Sequence, residues 1–215
     1  MSELNELGLK FGTDKASNYH GYLTIYEKLL EPLKLKEFNL FEIGWGGYTF
    51  PDRGGNSARM WAEYFPNANI LCLEKYKKDP IPEDSGIVLF EGEEDDEKTV
   101  SEIMTTYKPL VVLNDASHNN QKLIKNFEIC FSLMPSGGIY IGEDLHTSYW
   151  DSEEYQGDDS GDGCAKTSTN FFKKLTDVLN WEHIGRKENY NSLEKYENQI
   201  EYIHFYPKLV IIKKK

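Results

Sequence analysis

The chain has 215 residues and a mass of 24.9 kDa, enough for one full core and most simply a single domain. Its 36 Asp and Glu outweigh 24 Lys and Arg, a net charge of -12. That balance argues against nucleic-acid phosphates or an anionic membrane as a partner and suits a neutral small molecule or a cationic cofactor. With 39% hydrophobic and 28% charged residues, the composition is that of a folded globular protein.

No stretch reaches the roughly 18 apolar residues of a membrane span. Met1-Ser2-Glu3 opens acidic, unlike a signal peptide, so the cytoplasm is the expected location. Cys72 and Cys130 sit in apolar contexts and Cys164 in a Gly/Asp-rich loop. An odd number at wide spacing predicts reduced thiols, neither a disulfide framework nor a zinc site.

In chain order, residues 1–36 read as an amphipathic, helical N-terminal extension with Tyr19, His20, Tyr22 and Tyr26 clustered inside it. These aromatics either cover one end of a sheet or line a substrate mouth. Residues 37–215 read as the main domain. Phe38 to Gly44 is the first strand, running into Gly44-Trp45-Gly46-Gly47. Asn56-Ser57 is a good N-cap for a helix that Pro66 stops. Asn69 to Lys75 is a second strand closing on Glu74, and Ile87 to Gly92 a third. The third closes on Glu93-Glu94-Asp95-Asp96, an acidic run that favours a helix N-terminus through its dipole.

Leu110 to Asn114 is the fourth strand. A helix from about Asn120 carries Leu123, Ile124, Phe127, Cys130 and Phe131 at helical spacing, as a core face. Pro135-Ser136-Gly137-Gly138 turns into a fifth strand, Ile139 to Gly142. The polar stretch to about Lys166 is a lid or a solvated excursion, and a helix over Thr169 to Leu179 follows. Two alternating runs, near Trp181 to Gly185 and Tyr202 to Ile212, predict a terminal antiparallel pair. The β-α alternation predicts an α/β fold, a doubly wound Rossmann-like sheet of about seven strands ending in that hairpin.

Two features point to chemistry. Gly44-Trp45-Gly46-Gly47 after a strand suits a cofactor lying against bare backbone, although the third glycine of Gly-x-Gly-x-x-Gly falls on Thr49. Glu74 at the end of the second strand can accept both ribose hydroxyls, and Asp95 or Asp96 can reach an adenine. Nicotinamide and S-adenosylmethionine proteins share such a set. None of the 14 tyrosines has a lysine four residues later, so the Tyr-x-x-x-Lys pair of many dehydrogenases is missing.

The second feature is carboxylates at two neighbouring strand ends: Asp115, with His118 three residues on, and Glu143-Asp144. In open α/β sheets ligands bind at the carboxyl ends of strands. Oxygen donors without thiolate favour magnesium or manganese over zinc. Adjacent Glu143 and Asp144 point to opposite faces of a regular strand, so both reach one ion only if the strand has ended.

The chain resembles the class I S-adenosylmethionine-dependent methyltransferases, and within them the metal-dependent sugar O-methyltransferases of macrolide and related glycoside pathways. The resemblance rests on Lys10-Phe11-Gly12-Thr13-Asp14-Lys15, Glu42 to Tyr48, Gly54 to Trp61, Asp115-Ala116-Ser117-His118 and Glu143 to Trp150. It implies magnesium on Asp115, Glu143 and Asp144, and His118 as the base. It implies cofactor contacts from Glu42, Gly44, Gly46, Ser57, Glu74, Asp95, Asn114 and Asp115, and acceptor contacts from Tyr22, His146, Tyr149 and Trp150.

The chain departs from the family pattern in places. Asn114, Ala116 and Lys122 stand where relatives often have aspartate, glycine and a second histidine, and Gly92-Glu93-Glu94-Asp95 stands where they have Gly-Asp-Gln-Ser. Macrolide relatives also carry a long N-terminal domain in place of the short extension, so oligomer and substrate are expected to differ. The expected function is O-methylation of a sugar or other vicinal diol, with S-adenosylmethionine and Mg2+ or Mn2+, on a small-molecule or glycan acceptor, a homo-oligomer being allowed. A non-catalytic subunit of the same fold and a nicotinamide-dependent sugar-modifying enzyme are the alternatives.

Overall fold

A computed structural model describes residues 2–150, 152 and 166–215. Most of the polar stretch after Trp150 lies outside the described residues, and so does Cys164. The chain forms two compact units, Met1–Glu93 and Glu94–Lys215.

In the first unit, Ser2 caps α1 (Glu3–Phe11), its hydroxyl accepting from the Asn5 amide, and Gly12 ends the helix in the left-handed region at φ 71°. The helix packs on α3 (Asn56–Tyr64) and on α2 (Leu23–Leu30). Strands β1 (Asn39–Ile43), β2 (Asn69–Glu74) and β3 (Ile87–Glu91) run parallel in the order β3-β2-β1. From Leu40 to Ile43 and from Ile70 to Glu74 every residue is buried, the continuous burial of strands covered on both faces.

Helix α3 starts differently from the sequence reading. Its N-cap is Gly55 in the left-handed region, with no side-chain cap. The Asn56 amide is used elsewhere: its Nδ2 donates to the Gly12 carbonyl and its Oδ1 accepts from Arg59. A side chain at position 55 would meet the Trp45 ring at 2.1 Å, so only glycine lets that indole pack across the start of the helix.

In the second unit, α4 (Glu97–Tyr107) is capped by Asp96, which accepts from Lys98 N, Thr99 N and the Thr99 hydroxyl. That occupation takes Asp96 out of the adenine role. Strand β4 (Val111–Asn114) leads through a turn into α5 (Asn120–Leu133), and β5 (Ile139–Gly142) lies parallel to β4. A 3-10 turn (Leu145–Tyr149), α6 (Ser168–Val178), β6 (Ile200–Tyr206) and β7 (Leu209–Lys214) complete the unit, in strand order β4-β5-β7-β6. Strand β7 is antiparallel to both its neighbours.

The terminal hairpin is there, drawn from one predicted run instead of two. Trp181–His183 is a 3-10 turn whose indole is buried. The Tyr202 to Ile212 run folds back on itself at Pro207-Lys208, with Lys208 at φ 68°. Alternation alone does not mark a two-residue turn inside a continuous apolar run.

Phe127 centres the second unit's core. It is fully buried, stacked on Phe131 at 5.0 Å and met edge-on by Tyr140 at 5.0 Å and Phe172 at 5.3 Å. Of the predicted core face of α5 only Ile124 is not fully buried. Among the described residues no helix is long and apolar enough to cross a membrane. Phe127→Ala should cost about 3 to 5 kcal/mol of stability, read as a lower urea midpoint at unchanged slope.

Candidate active site

The functional side chains of each unit gather at the carboxyl ends of its strands. In the first unit the β1–β2 ladder continues one step past β1, where the Gly44 amide donates to the Leu73 carbonyl at 2.9 Å. Gly44 then takes φ 107° and Gly46 φ 78°. A side chain built at Gly46 would meet nothing within 4 Å, whereas one at Gly47 or Gly54 would strike backbone at 2.4 Å. Gly47 and Gly54 are therefore glycines for internal packing, and Gly46 presents bare backbone to open space.

Glu74 ends β2 under this loop. Its carboxylate accepts from Trp45 N and Tyr76 N, both at 3.0 Å, so the acid fixes the loop as well as facing it. Ser57 lies in the first turn of α3, half-buried.

Behind the loop lies a buried ion pair. Lys15 Nζ is 3.7 Å from Glu42 Oε1, and both side chains are 1% exposed. Burial, with Glu42 adding to it, pushes the Cys72 thiol well above its ordinary value; burial alone does the same for Cys130. Both free cysteines are held as inert thiols. Tyr22, expected at the acceptor, is 1% exposed, its ring stacked on His20 at 5.1 Å and tilted against Tyr26 at 6.1 Å. It packs within the unit and offers an acceptor no surface.

In the second unit the parallel register sets Asn114 beside Gly142, and the Glu143 amide extends the ladder by donating to the Asn114 carbonyl. Both chains then turn through left-handed residues, His118 at φ 58° and Asp144 at φ 53°. Non-glycine residues held there store strain and concentrate at functional sites. The result is a cluster of Asp115, His118 and Asp144, each half- to fully buried, with one ligand atom from each lying within 4.8 Å of the others. His118 Nε2 is 3.5 Å from Asp144 Oδ2 and 3.9 Å from Asp115 Oδ1.

Glu143, expected as a third carboxylate ligand, is 2% exposed and is not in this group. The strand has ended at Gly142, and of the pair Asp144 lies in this three-residue group.

Thr147 joins the two turns, its hydroxyl lying 2.9 Å from the Asp144 carbonyl and 3.4 Å from that of His118. His146 Nδ1 stands 3.8 Å from Asp144 Oδ1, and its ring meets Trp150 edge-on at 4.9 Å. Tyr149 and Trp150 are 48% and 46% exposed.

One residue was missed from the sequence. Glu94, 4% exposed, sits inside the acidic run expected to favour a helix N-terminus. Its Oε2 accepts from Asn114 Nδ2 at 3.1 Å, and its Oε1 accepts from Ser117 N at 3.2 Å and, by a short bond, from the Ser117 hydroxyl. Burial raises its carboxyl above the ordinary range, opposed by the bonds from Ser117 and Asn114. A pairing signal could have found it: the buried strand end at Asn114 needs a partner for its amide. Asn114 itself, expected at the cofactor, spends that amide on Glu94, and its Oδ1 accepts from Ala116 N. Asp95 forms an ion pair with Lys122 at 3.6 Å.

No family model matches the chain. It is 29% identical over 213 residues to the mycinamicin VI 2''-O-methyltransferase of Micromonospora griseorubida, covering 99% of this chain and 52% of that protein. It is 30% identical over 217 residues to the demethylmacrocin O-methyltransferase of Streptomyces fradiae, covering 99% and 53%. The crystal structure of MycE methyltransferase from the mycinamycin pathway, in complex with Mg and SAH, aligns with a TM-score of 0.89 at 28% identity over 99% of this chain and 53% of that one. The chain thus spans about half the length of the curated relatives it matches. It is a homologue of the sugar O-methyltransferases of antibiotic biosynthesis, and its fold is the class I methyltransferase fold.

Removing the ammonium from the buried pair should be costly, because it strands a charge away from water. Lys15→Met should lose about 3 to 5 kcal/mol in urea unfolding, and Lys15→Met/Glu42→Gln should recover part of that loss. Losses in Lys15→Met and Glu42→Gln that simply add in the double variant would show that the pair is not coupled.

Proposed function

We propose that this chain is an S-adenosylmethionine-dependent O-methyltransferase that uses a divalent cation, Mg2+ or Mn2+, and acts on a hydroxyl of a sugar or other vicinal diol. The observation that carries the reading is the Asp115–His118–Asp144 cluster, on a chain whose relatives are sugar O-methyltransferases, one of them solved with Mg and SAH. Carboxylate oxygens with no thiol beside them suit these hard cations, and the imidazole among them is left as a base.

Asp115, Glu143 and Asp144 would hold the cation. When bound, the cation would supply Lewis-acid polarisation of the acceptor hydroxyl. S-adenosylmethionine, when bound, would supply the methyl group to that oxygen and leave as the neutral thioether. His118 then takes the hydroxyl proton on Nε2. Its left-handed backbone and the Asp144 carboxylate fix where that nitrogen points, and a base so placed contributes about 100- to 10,000-fold.

Gly44, Gly46 and Glu74 in the first unit, with Ser57 and Glu42 near them, are our cofactor-binding residues there, and Asp95, Asn114 and Asp115 those of the second unit. The open space at Gly46 supports the first set. His146, Tyr149 and Trp150 would meet the acceptor. Residues 1–36 serve as an extension to a methyltransferase domain of 37–215. With a net charge of -12, the partner is a small molecule or glycan, neither nucleic acid nor membrane, and the setting cytoplasmic.

Incubation with S-adenosylmethionine, Mg2+ and a panel of free and nucleotide-linked sugars should give methylated products by mass spectrometry. EDTA should abolish them and added Mg2+ restore them; full turnover in chelator would remove the cation from the account. His118→Gln should lower turnover by about 100- to 10,000-fold while leaving Mn2+ affinity little changed. A loss of Mn2+ affinity in step with turnover would make His118 a ligand instead of the base.

A further inference from the structure

We infer that Glu94 is the positioning residue of the metal cluster, holding the turn that presents Asp115 and His118. The inference rests on the cation-binding reading above and adds to it a residue from outside the cluster.

The geometry is a closed ring of bonds around one buried carboxylate. Glu94 Oε2 takes the Asn114 amide, and Asn114 Oδ1 in turn takes Ala116 N at 3.4 Å. Glu94 Oε1 takes both the backbone N–H and the hydroxyl of Ser117, whose oxygen also accepts from Asn119 N at 3.2 Å. Residues 114, 116, 117 and 119 are thus tied, directly or through one intermediate, to a single side chain, and Asp115 and His118 are the residues between them. Glu94 is itself anchored, since its carbonyl accepts from Asn126 Nδ2 at 2.7 Å in the buried part of α5.

This arrangement accounts for the backbone of His118. A non-glycine residue at φ 58° persists only where its surroundings over-determine it. The neighbours on both sides of His118 are fixed: Ser117 by Glu94, and Asn119 by Ser117 and by its own capping bonds to Gln121 N and Lys122 N. Charge-assisted bonds from a carboxylate are about twice as strong as neutral ones, so this pin is stiffer than an amide would supply. An amide at position 94 would also turn one NH2 towards the Asn114 NH2, opposing donor to donor and releasing either Asn114 or Ala116.

The test reads metal binding by the protein directly, through the free-ion electron paramagnetic resonance signal of Mn2+ added alone. Glu94→Gln should raise the Mn2+ dissociation constant by about 10- to 100-fold, the usual cost of losing a group that orients ligands from behind. Glu94→Gln/Asn114→Asp re-forms an amide–carboxylate pair in the reverse sense and should restore the constant to within roughly threefold, a coupling that independent sites do not show. Ser117→Ala removes the two hydroxyl bonds, to Glu94 and from Asn119 N, but leaves the Ser117 N and Asn114 bonds to Glu94; it should raise the constant by a smaller factor, which keeps the inference testable if Glu94→Gln folds poorly.

A Glu94→Gln protein that melts lower yet binds Mn2+ as the unaltered chain does would make Glu94 architectural and overturn this inference alone. A double variant no better than the single one would overturn it too. Failure of the unaltered chain to bind Mn2+ would instead overturn the cation-binding reading.

Discussion

The parallel pairing of β4 with β5 is the constraint on which the Asp115–His118–Asp144 cluster of the second unit depends. Adjacent strands lie about 4.8 Å apart, and the register that sets Asn114 against Gly142 makes both strands stop at the same level. One more rung, from the Glu143 amide to the Asn114 carbonyl, carries the pairing to the lip of the sheet. Beyond it the chains diverge through His118 and Asp144, both left-handed. A slip of one residue would turn the buried side chains of one strand to its other face, because side chains alternate along a strand, and would break this common stop.

Polar groups at this end of the unit hold the two turns from below. Asn120 Oδ1 accepts from the hydroxyls of Ser148 and Ser168 and from Ser168 N, all at 2.8 Å. These bonds tie the start of α5 to the 3-10 turn after β5 and to the start of α6. Thr147 spans the carbonyls of Asp144 and His118. The acids that look free in sequence are thus set on a scaffold of buried amides and hydroxyls, which is how a site reaches the tolerances chemistry requires.

The departures from the sugar O-methyltransferase pattern meet one another in space. Asn114, which departs from the aspartate of the family pattern, donates to Glu94, which departs from its glutamine. Lys122, where relatives have a histidine, pairs with Asp95, where they have serine. Each departure taken singly would leave a buried or half-buried polar group unmatched, at a cost of about 1 to 3 kcal/mol. Taken in pairs they are satisfied, Asn114 by Glu94 and Lys122 by Asp95.

Much was legible in the sequence. The apolar runs fixed β1, β2, β4 and β5 to within a residue or two, because a strand buried on both faces must be apolar throughout. The abrupt change to carboxylates marked the strand ends, and Gly44 to Gly47 marked the loop that needs left-handed backbone. What only the tertiary structure decided were matters of pairing and direction. Tyr22 turned inward because its partners, His20 and Tyr26, are neighbours in the fold. Pro207-Lys208 became a turn because β7 had to pair with β5 on one side and β6 on the other. Glu94 left the solvent because Asn114 and Ser117 came to it across twenty and more residues. Periodicity records how often a side chain faces the core; it carries no record of which distant donor a buried acid will find, and that depends on the packed strands alone.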